Sequence, residues 1–112
     1  MKLAIIGSRG LTDIDIEKYI PEGVCEIVSG GAKGVDTLAR EYAVKHGFLL
    51  TEFLPEYGKY RRNAPLVRNE KIIGYADEVL AFWDGKSRGT RFTIEKCREM
   101  GKKVTVITLE QA

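Results

Sequence analysis

Val24-Cys25-Glu26-Ile27-Val28, then Ser29-Gly30-Gly31-Ala32-Lys33-Gly34, then Val35-Asp36-Thr37-Leu38-Ala39-Arg40-Glu41-Tyr42-Ala43 form one unbroken stretch that decides the fold. The first part is a short apolar run followed by glycines, the mark of a buried strand. The third part places Val35, Leu38, Ala39, Tyr42 and Ala43 at i, i+3, i+4, i+7 and i+8, which predicts an amphipathic helix. Gly47 supplies its C-terminal stop. Strand, glycine-rich loop and helix in that order make half of a parallel α/β unit.

The same alternation runs outward in both directions. Upstream, Leu3-Ala4-Ile5-Ile6 reads as a buried strand ending at Gly7. A helix is expected next, capped by Thr12, with Asp13 and Asp15 in its first turn, Ile16, Tyr19 and Ile20 on its inner face, and Pro21 as its stop. Downstream, a strand over about 48–53 leads through a polar connection to a helix that starts near Ala64-Pro65. Its inner stripe is Asn69, Ile72, Ile73 and Ala76. A strand at 78–82, a helix at 90–100 closed by Gly101 and a strand at 104–108 complete the chain. Five strands separated by four helices predict right-handed crossovers and a five-stranded parallel sheet with both faces covered. The fold class is α/β, a single Rossmann-like three-layer domain spanning residues 1–112.

Composition agrees with that reading. Of 112 residues, 44% are hydrophobic and 30% charged, ordinary for a globular domain and unlike disordered or collagen-like chains. No apolar run approaches the ~18 residues of a membrane span, and Met1–Ile6 is too short for a signal peptide's apolar region. A cytoplasmic protein with no membrane partner is expected. Cys25 and Cys97 have no second cysteine or histidine at ligand spacing, and His46 stands alone, so no metal site and no cofactor is expected. Both cysteines read as small buried hydrophobes.

The net charge is only +2, yet it is unevenly spread. Residues 56–71 hold five Lys and Arg against two Glu, and residues 86–103 hold seven against two. Acids gather earlier, at Asp13, Asp15 and Glu17. Two basic stretches on a near-neutral chain suit an anionic small ligand more than wholesale nucleic-acid coating.

In a parallel sheet such a ligand binds beyond the strands' carboxyl ends, where strand order reverses. The loops after the first, second and fourth strands are all glycine-rich: Gly7-Ser8-Arg9-Gly10, Ser29 to Asp36, and Asp84-Gly85-Lys86-Ser87-Arg88-Gly89-Thr90. Glycine lets backbone amides approach an anion, and the helix that follows adds positive potential. Gly7, Ser8, Gly30, Gly31, Gly89 and Thr90 are therefore candidates for phosphate contact, with Arg9 and Lys33 adding charge. Asp36 either accepts a ribose hydroxyl or stabilises the helix start. Arg68 and Asn69 are expected to hold the loops, because Asn69 lies on an apolar stripe and its amide needs buried partners. Trp83 stacks on a base or joins the core. Two known motifs fail: a P-loop ending in Gly85-Lys86-Ser87 needs glycine where Leu80 stands, and a dinucleotide fingerprint through Gly31 and Gly34 has Ser29 at its first glycine. Glu52 is the residue that would meet a ribose in that fingerprint.

At these loops the chain resembles a small member of the SLOG superfamily, the Rossmann-like group uniting DNA processing protein A (Smf/DprA) with the Lonely guy (LOG) proteins, and most of all its YspA/YpsA-related branch. Ala4-Ile5-Ile6-Gly7-Ser8-Arg9 resembles the opening strand and Gly-Ser-Arg turn. Ile27 through Asp36 resembles the Ser-Gly-x-Ala-x-Gly-hydrophobic-Asp segment, and Pro65 through Ile73 resembles the Arg-Asn-x-x-Ile element. The resemblance implies a nucleotide-based ligand, held by Gly7, Ser8, Arg9, Ser29, Gly30, Gly31, Lys33, Gly34, Asp36, Arg68, Asn69, Asp84, Ser87, Gly89 and Thr90. LOG enzymes cleave an N-glycosidic bond and carry Pro-Gly-Gly-x-Gly-Thr-x-x-Glu. Here Gly89-Thr90 matches, but Thr93 stands in the glutamate's place. The primary expectation is therefore a binding module for a nucleotide or nucleotide-derived phosphorylated small molecule. The alternatives are an N-glycosidic hydrolase, with Asp84 as its candidate catalytic carboxylate, and single-stranded DNA binding through Tyr57, Tyr60, Arg61 and Arg62. A homodimer is the expected assembly.

Overall fold

The computed structural model describes residues 1–109. Its strands are β1 (Lys2–Gly7), β2 (Glu26–Ser29), β3 (Leu49–Glu52), β4 (Glu78–Trp83) and β5 (Val104–Thr108). Leu3, Ile5, Ile27, Leu80 and Phe82 fill the core on one face, and Ala4, Ile6, Val28, Val79 and Ala81 alternate to the other. Strands apolar on both sides need helices on both sides. The first face is covered by α1 (Val35–His46) through Val35, Ala39 and Ala43. A single turn, α2 (Tyr57–Tyr60), precedes α3 (Ala64–Tyr75) in the chain. The second face is covered by α3 and α4 (Arg88–Glu99), through Ile72, Ile73, Ile94 and Cys97.

The sheet order is β3-β2-β1-β4-β5 and every pairing is parallel. The α/β class, the Rossmann-like layering and the five-stranded parallel sheet are as the sequence predicts. Gly47 ends α1 at φ 68° in the left-handed region, and α3 begins at Ala64-Pro65. No helix among the described residues is long and apolar enough to cross a membrane.

The helix expected after β1 does not form. Only a three-residue 3-10 turn, Glu17–Tyr19, appears there. The reason lies in the spacing. Asp13, Asp15 and Glu17 are exposed while Ile14 and Ile16 turn inward, which is a period of two and belongs to extended chain. Ile16, Tyr19 and Ile20 still pack on the α1 face, and the Tyr19 ring meets Phe82 edge-on at 5.5 Å. The five strands are thus joined by three full helices, and β1 passes to β2 through irregular chain.

Cys25 also departs from expectation. It is exposed, and its Sγ accepts a hydrogen bond from the amino-terminal amine at 3.4 Å. Position 25 is hydrogen-bonded to Met1 and Leu49 at the amino-terminal edge of the sheet, one residue before β2, and its side chain stays outside the core. Cys97 is buried as expected.

Candidate functional site

From β1 the chain moves to β2 on one side, while β4 passes to β5 on the other. The order reverses between β1 and β4, whose ends lie in register with Gly7 opposite Phe82. A crevice must open above that point, and a cavity of about 440 Å³ lies there. Its walls come from the loops after β1, β2 and β4 and from the facing sides of α3 and α4.

Glycines let these loops meet. A Cβ on Gly7 would lie 2.5 Å from Val35 Cγ2 and 2.7 Å from the Phe82 carbonyl, so only glycine lets α1 approach the end of β1. Gly34 has φ 75° and ψ −124°, a region for glycine alone, and a Cβ there would strike the Arg9 backbone. The first and second loops are therefore packed backbone against backbone.

One chain of hydrogen bonds ties the second loop to the head of α4. Arg68 is 8% exposed. Its Nη1 donates to the Gly30 carbonyl at 2.7 Å and its Nε to Asn69 Oδ1 at 2.7 Å. Asn69 Nδ2 donates to Thr93 Oγ1 at 2.8 Å, and Thr93 donates onward to the Gly89 carbonyl at 3.0 Å. A Cβ on Gly30 would collide with the Arg68 guanidinium. The Arg-Asn pair thus holds the loops in place, as its position on the α3 stripe predicts.

The two cavity carboxylates are unlike. Asp36, 8% exposed, is pushed above the usual aspartate value by burial, against the Ala32 amide, the Arg68 charge and Ser29, which pull it down. Its Oδ2 accepts the Ala32 N–H at 3.1 Å. Asp84 is held below the usual value because its Oδ1 accepts the Ser87 and Lys86 amides, each at 2.8 Å. A carboxylate so anchored organises its loop and is a poor proton donor. Burial lowers the pKa of Arg68, and Asp36 opposes that shift; arginine stays cationic regardless.

At the head of α4 three hydroxyls converge. Ser8 Oγ accepts from the Asp84 amide at 3.2 Å and lies 3.5 Å from Thr90 Oγ1, which is 3.3 Å from Ser87 Oγ. Ser87 caps the helix by accepting from the Thr90 amide at 3.4 Å. The Arg88 and Gly89 amides open the helix with no intrahelical acceptor. Arg9 is exposed on the cavity wall and makes no ion pair among the described residues.

Gly7, Ser8, Arg9, Gly30, Asp36, Arg68, Asn69, Asp84, Ser87, Gly89 and Thr90 all line the cavity; Ser29, Gly31, Lys33 and Gly34 do not. Ser29 is buried and accepts weakly from the Gly31 amide at 3.4 Å. Gly31 has the positive φ expected, 68°, but a Cβ there would meet Leu54 Cδ2 at 2.7 Å and the Glu52 carboxylate beyond. Gly31, a candidate for phosphate contact, turns its open side to Leu54 and away from the cavity. Glu52 is taken by Arg40, which donates to both its oxygens, so it does not face a ribose. Trp83 Nε1 donates to the Ser87 carbonyl at 3.0 Å and braces the third loop.

Sequence reasoning missed Pro65, Leu66, Ile72 and Thr93 as wall residues. A signal was there. Pro65 and Leu66 precede Asn69 by four and three positions, Ile72 follows it by three, and Thr93 follows Thr90 by three, so each shares a helix face with a residue already named. No protein-family model, curated protein or solved structure matches the chain.

Proposed function

We propose that the cavity at the β1/β4 switch point binds a nucleotide or a nucleotide-derived phosphorylated small molecule. The observation that carries this is the Arg9 guanidinium, without an ion pair among the described residues, on the same cavity wall as Arg68 and the open first turn of α4. Of the charges around this concave space, Asp36 faces the Arg68 charge and Asp84 is held by its own loop's amides, which leaves Arg9 and the helix amino terminus to favour an anion. A volume of about 440 Å³ lies in the range of small-ligand pockets and suits a mononucleotide. The resemblance to SLOG domains supports the same reading.

The test is calorimetric titration with AMP, together with mass spectrometry of small molecules carried through native purification. Binding is expected, and Arg9→Ala weakens it ten- to a hundredfold, the ~1.5–3 kcal/mol of a charge-assisted contact, with the melting temperature unchanged. No phosphorylated ligand by either method refutes the proposal.

A second reading, hydrolysis of an N-glycosidic bond, is favoured by Asp36 rather than Asp84. Asp36 is the cavity carboxyl whose pKa burial raises toward the range of a general acid. Release of free base from AMP, abolished by Asp36→Asn, would establish it.

A further inference from the structure

We infer that the site reads the phosphate and sugar of its ligand and is indifferent to the base, an inference that rests on the nucleotide reading above. The wall contributed by α3 and α4 has polar side chains, and Arg68, Asn69 and Thr93 among them are fixed by bonds to one another. Asn69 uses its carbonyl oxygen on Arg68 Nε and its amide nitrogen on Thr93. Thr93 in turn gives its proton to the Gly89 carbonyl. Turning the Asn69 amide toward a base would break the bridge between the two helices. Thr90 Oγ1 lies with the Ser8 and Ser87 hydroxyls at the head of α4, and the rest of that wall is Pro65, Leu66 and Ile72, with Ile6 from the sheet, none of which carries a side-chain donor or acceptor.

The apolar part of that surface accepts the flat face of any base and has no pattern with which to read an edge. Strong discrimination between ligands of similar size requires a polar group that the wrong ligand leaves unpaired, whereas an apolar wall discriminates weakly. Stacking and apolar contact are available to every base. The groups still open to a ligand lie away from that apolar surface: Arg9 in the loop after β1, Asp36 in α1, and the first amides of α4. They are charged or strongly polar, and they match a phosphate and sugar hydroxyls.

The experiment is calorimetric titration of the whole chain with AMP, GMP, CMP and UMP, and with adenosine. The four nucleotides are expected to bind within about tenfold of one another, with adenosine at least about tenfold weaker than AMP. A spread beyond tenfold among the nucleotides overturns the inference and leaves nucleotide binding standing, as does adenosine binding as well as AMP. If none of the four binds, the nucleotide reading falls and this one with it. Asn69→Ala supplies an independent readout. Because its amide positions the loops, the loss of affinity is common to all four nucleotides. A loss confined to one or two bases means that Asn69 reads the base, and the inference fails. Thr93→Val breaks the same bridge from α4 and serves if Asn69→Ala does not fold.

Discussion

Arg68→Met is the substitution that tests the architecture of the site most directly. Methionine keeps the apolar stem inside α3's packing and removes only the guanidinium. The buried Gly30 carbonyl loses its 2.7 Å donor and Asn69 Oδ1 loses another. Asp36, 8% exposed, keeps its carboxylate but loses the Arg68 charge that favours its ionised form. Leaving a buried acceptor without its donor costs about 1–3 kcal/mol, and two acceptors lose theirs here, so the loss is about 2–5 kcal/mol with the weakened support of Asp36 included. Urea unfolding at pH 7 reads this. With m of about 1–3 kcal/mol/M for a chain of this size, the midpoint falls by roughly 1 M or more. The double substitution Arg68→Met/Asp36→Asn removes the orphaned charge and is expected to recover about 1–2 kcal/mol of the loss. If Arg68→Met costs less than about 1 kcal/mol, or if the two changes simply add, the guanidinium does not organise the loops and the account of the site is wrong.

Three further outcomes follow from the same geometry. Gly34→Ala forces a side chain into a glycine-only conformation and against the Arg9 backbone, so it costs about 2–4 kcal/mol. Gly31→Ala costs only about 1–2 kcal/mol, because the atom it meets belongs to Leu54, which is 63% exposed and can swing aside; the reverse order in chemical denaturation refutes both assignments. For Asp36 the folded pKa lies above the unfolded one, so the folded state binds more protons between the two values. Stability is therefore gained as pH falls through the folded pKa toward the unfolded value and lost as it rises, at ~1.4 kcal/mol for each pH unit that separates the two values. Wild type should gain melting temperature relative to Asp36→Asn between pH 7 and pH 4, and a flat difference sinks the assignment. Cys97, whose thiol burial pushes up to about 11, should stay unlabelled by iodoacetamide at pH 8 in the native protein, while exposed Cys25 is alkylated.

The centre of the sheet was legible because β1, β2 and β4 are buried on both faces. Leu3 to Ile6 and Val79 to Phe82 carry no polar residue, so no choice of register alters the reading. The α1 helix was legible for a different reason, since its stripe and its Gly47 stop agree. The segment after β1 misled because Ile16, Tyr19 and Ile20 fit a helix while Asp13 to Glu17 fit an extended chain. Local spacing is degenerate over so few residues, and packing against Phe82 settled the matter. Cys25 misled because composition assigns a burial tendency to a residue type, whereas burial depends on place in the sheet, and Cys25 stands at its amino-terminal edge.

The site divides along a similar line. What a loop's residue types announce, a glycine beside a strand end or an arginine after it, was legible at Gly7, Arg9 and Gly30. Which side of a loop faces the cavity was not, because direction depends on what else packs there. Gly31 and Lys33 lie in the same loop as Gly30, yet neither reaches the cavity wall, and a Cβ on Gly31 would point at Leu54. Leu54 comes from the chain after β3, far from the loop in sequence. Asn69 was the exception, and the reason is general. An amide on an otherwise apolar helical stripe must find partners inside the protein. The nearest element able to supply them is the helix packed alongside. That constraint names a neighbour without naming a residue, and Thr93 on α4 is the one that answers it.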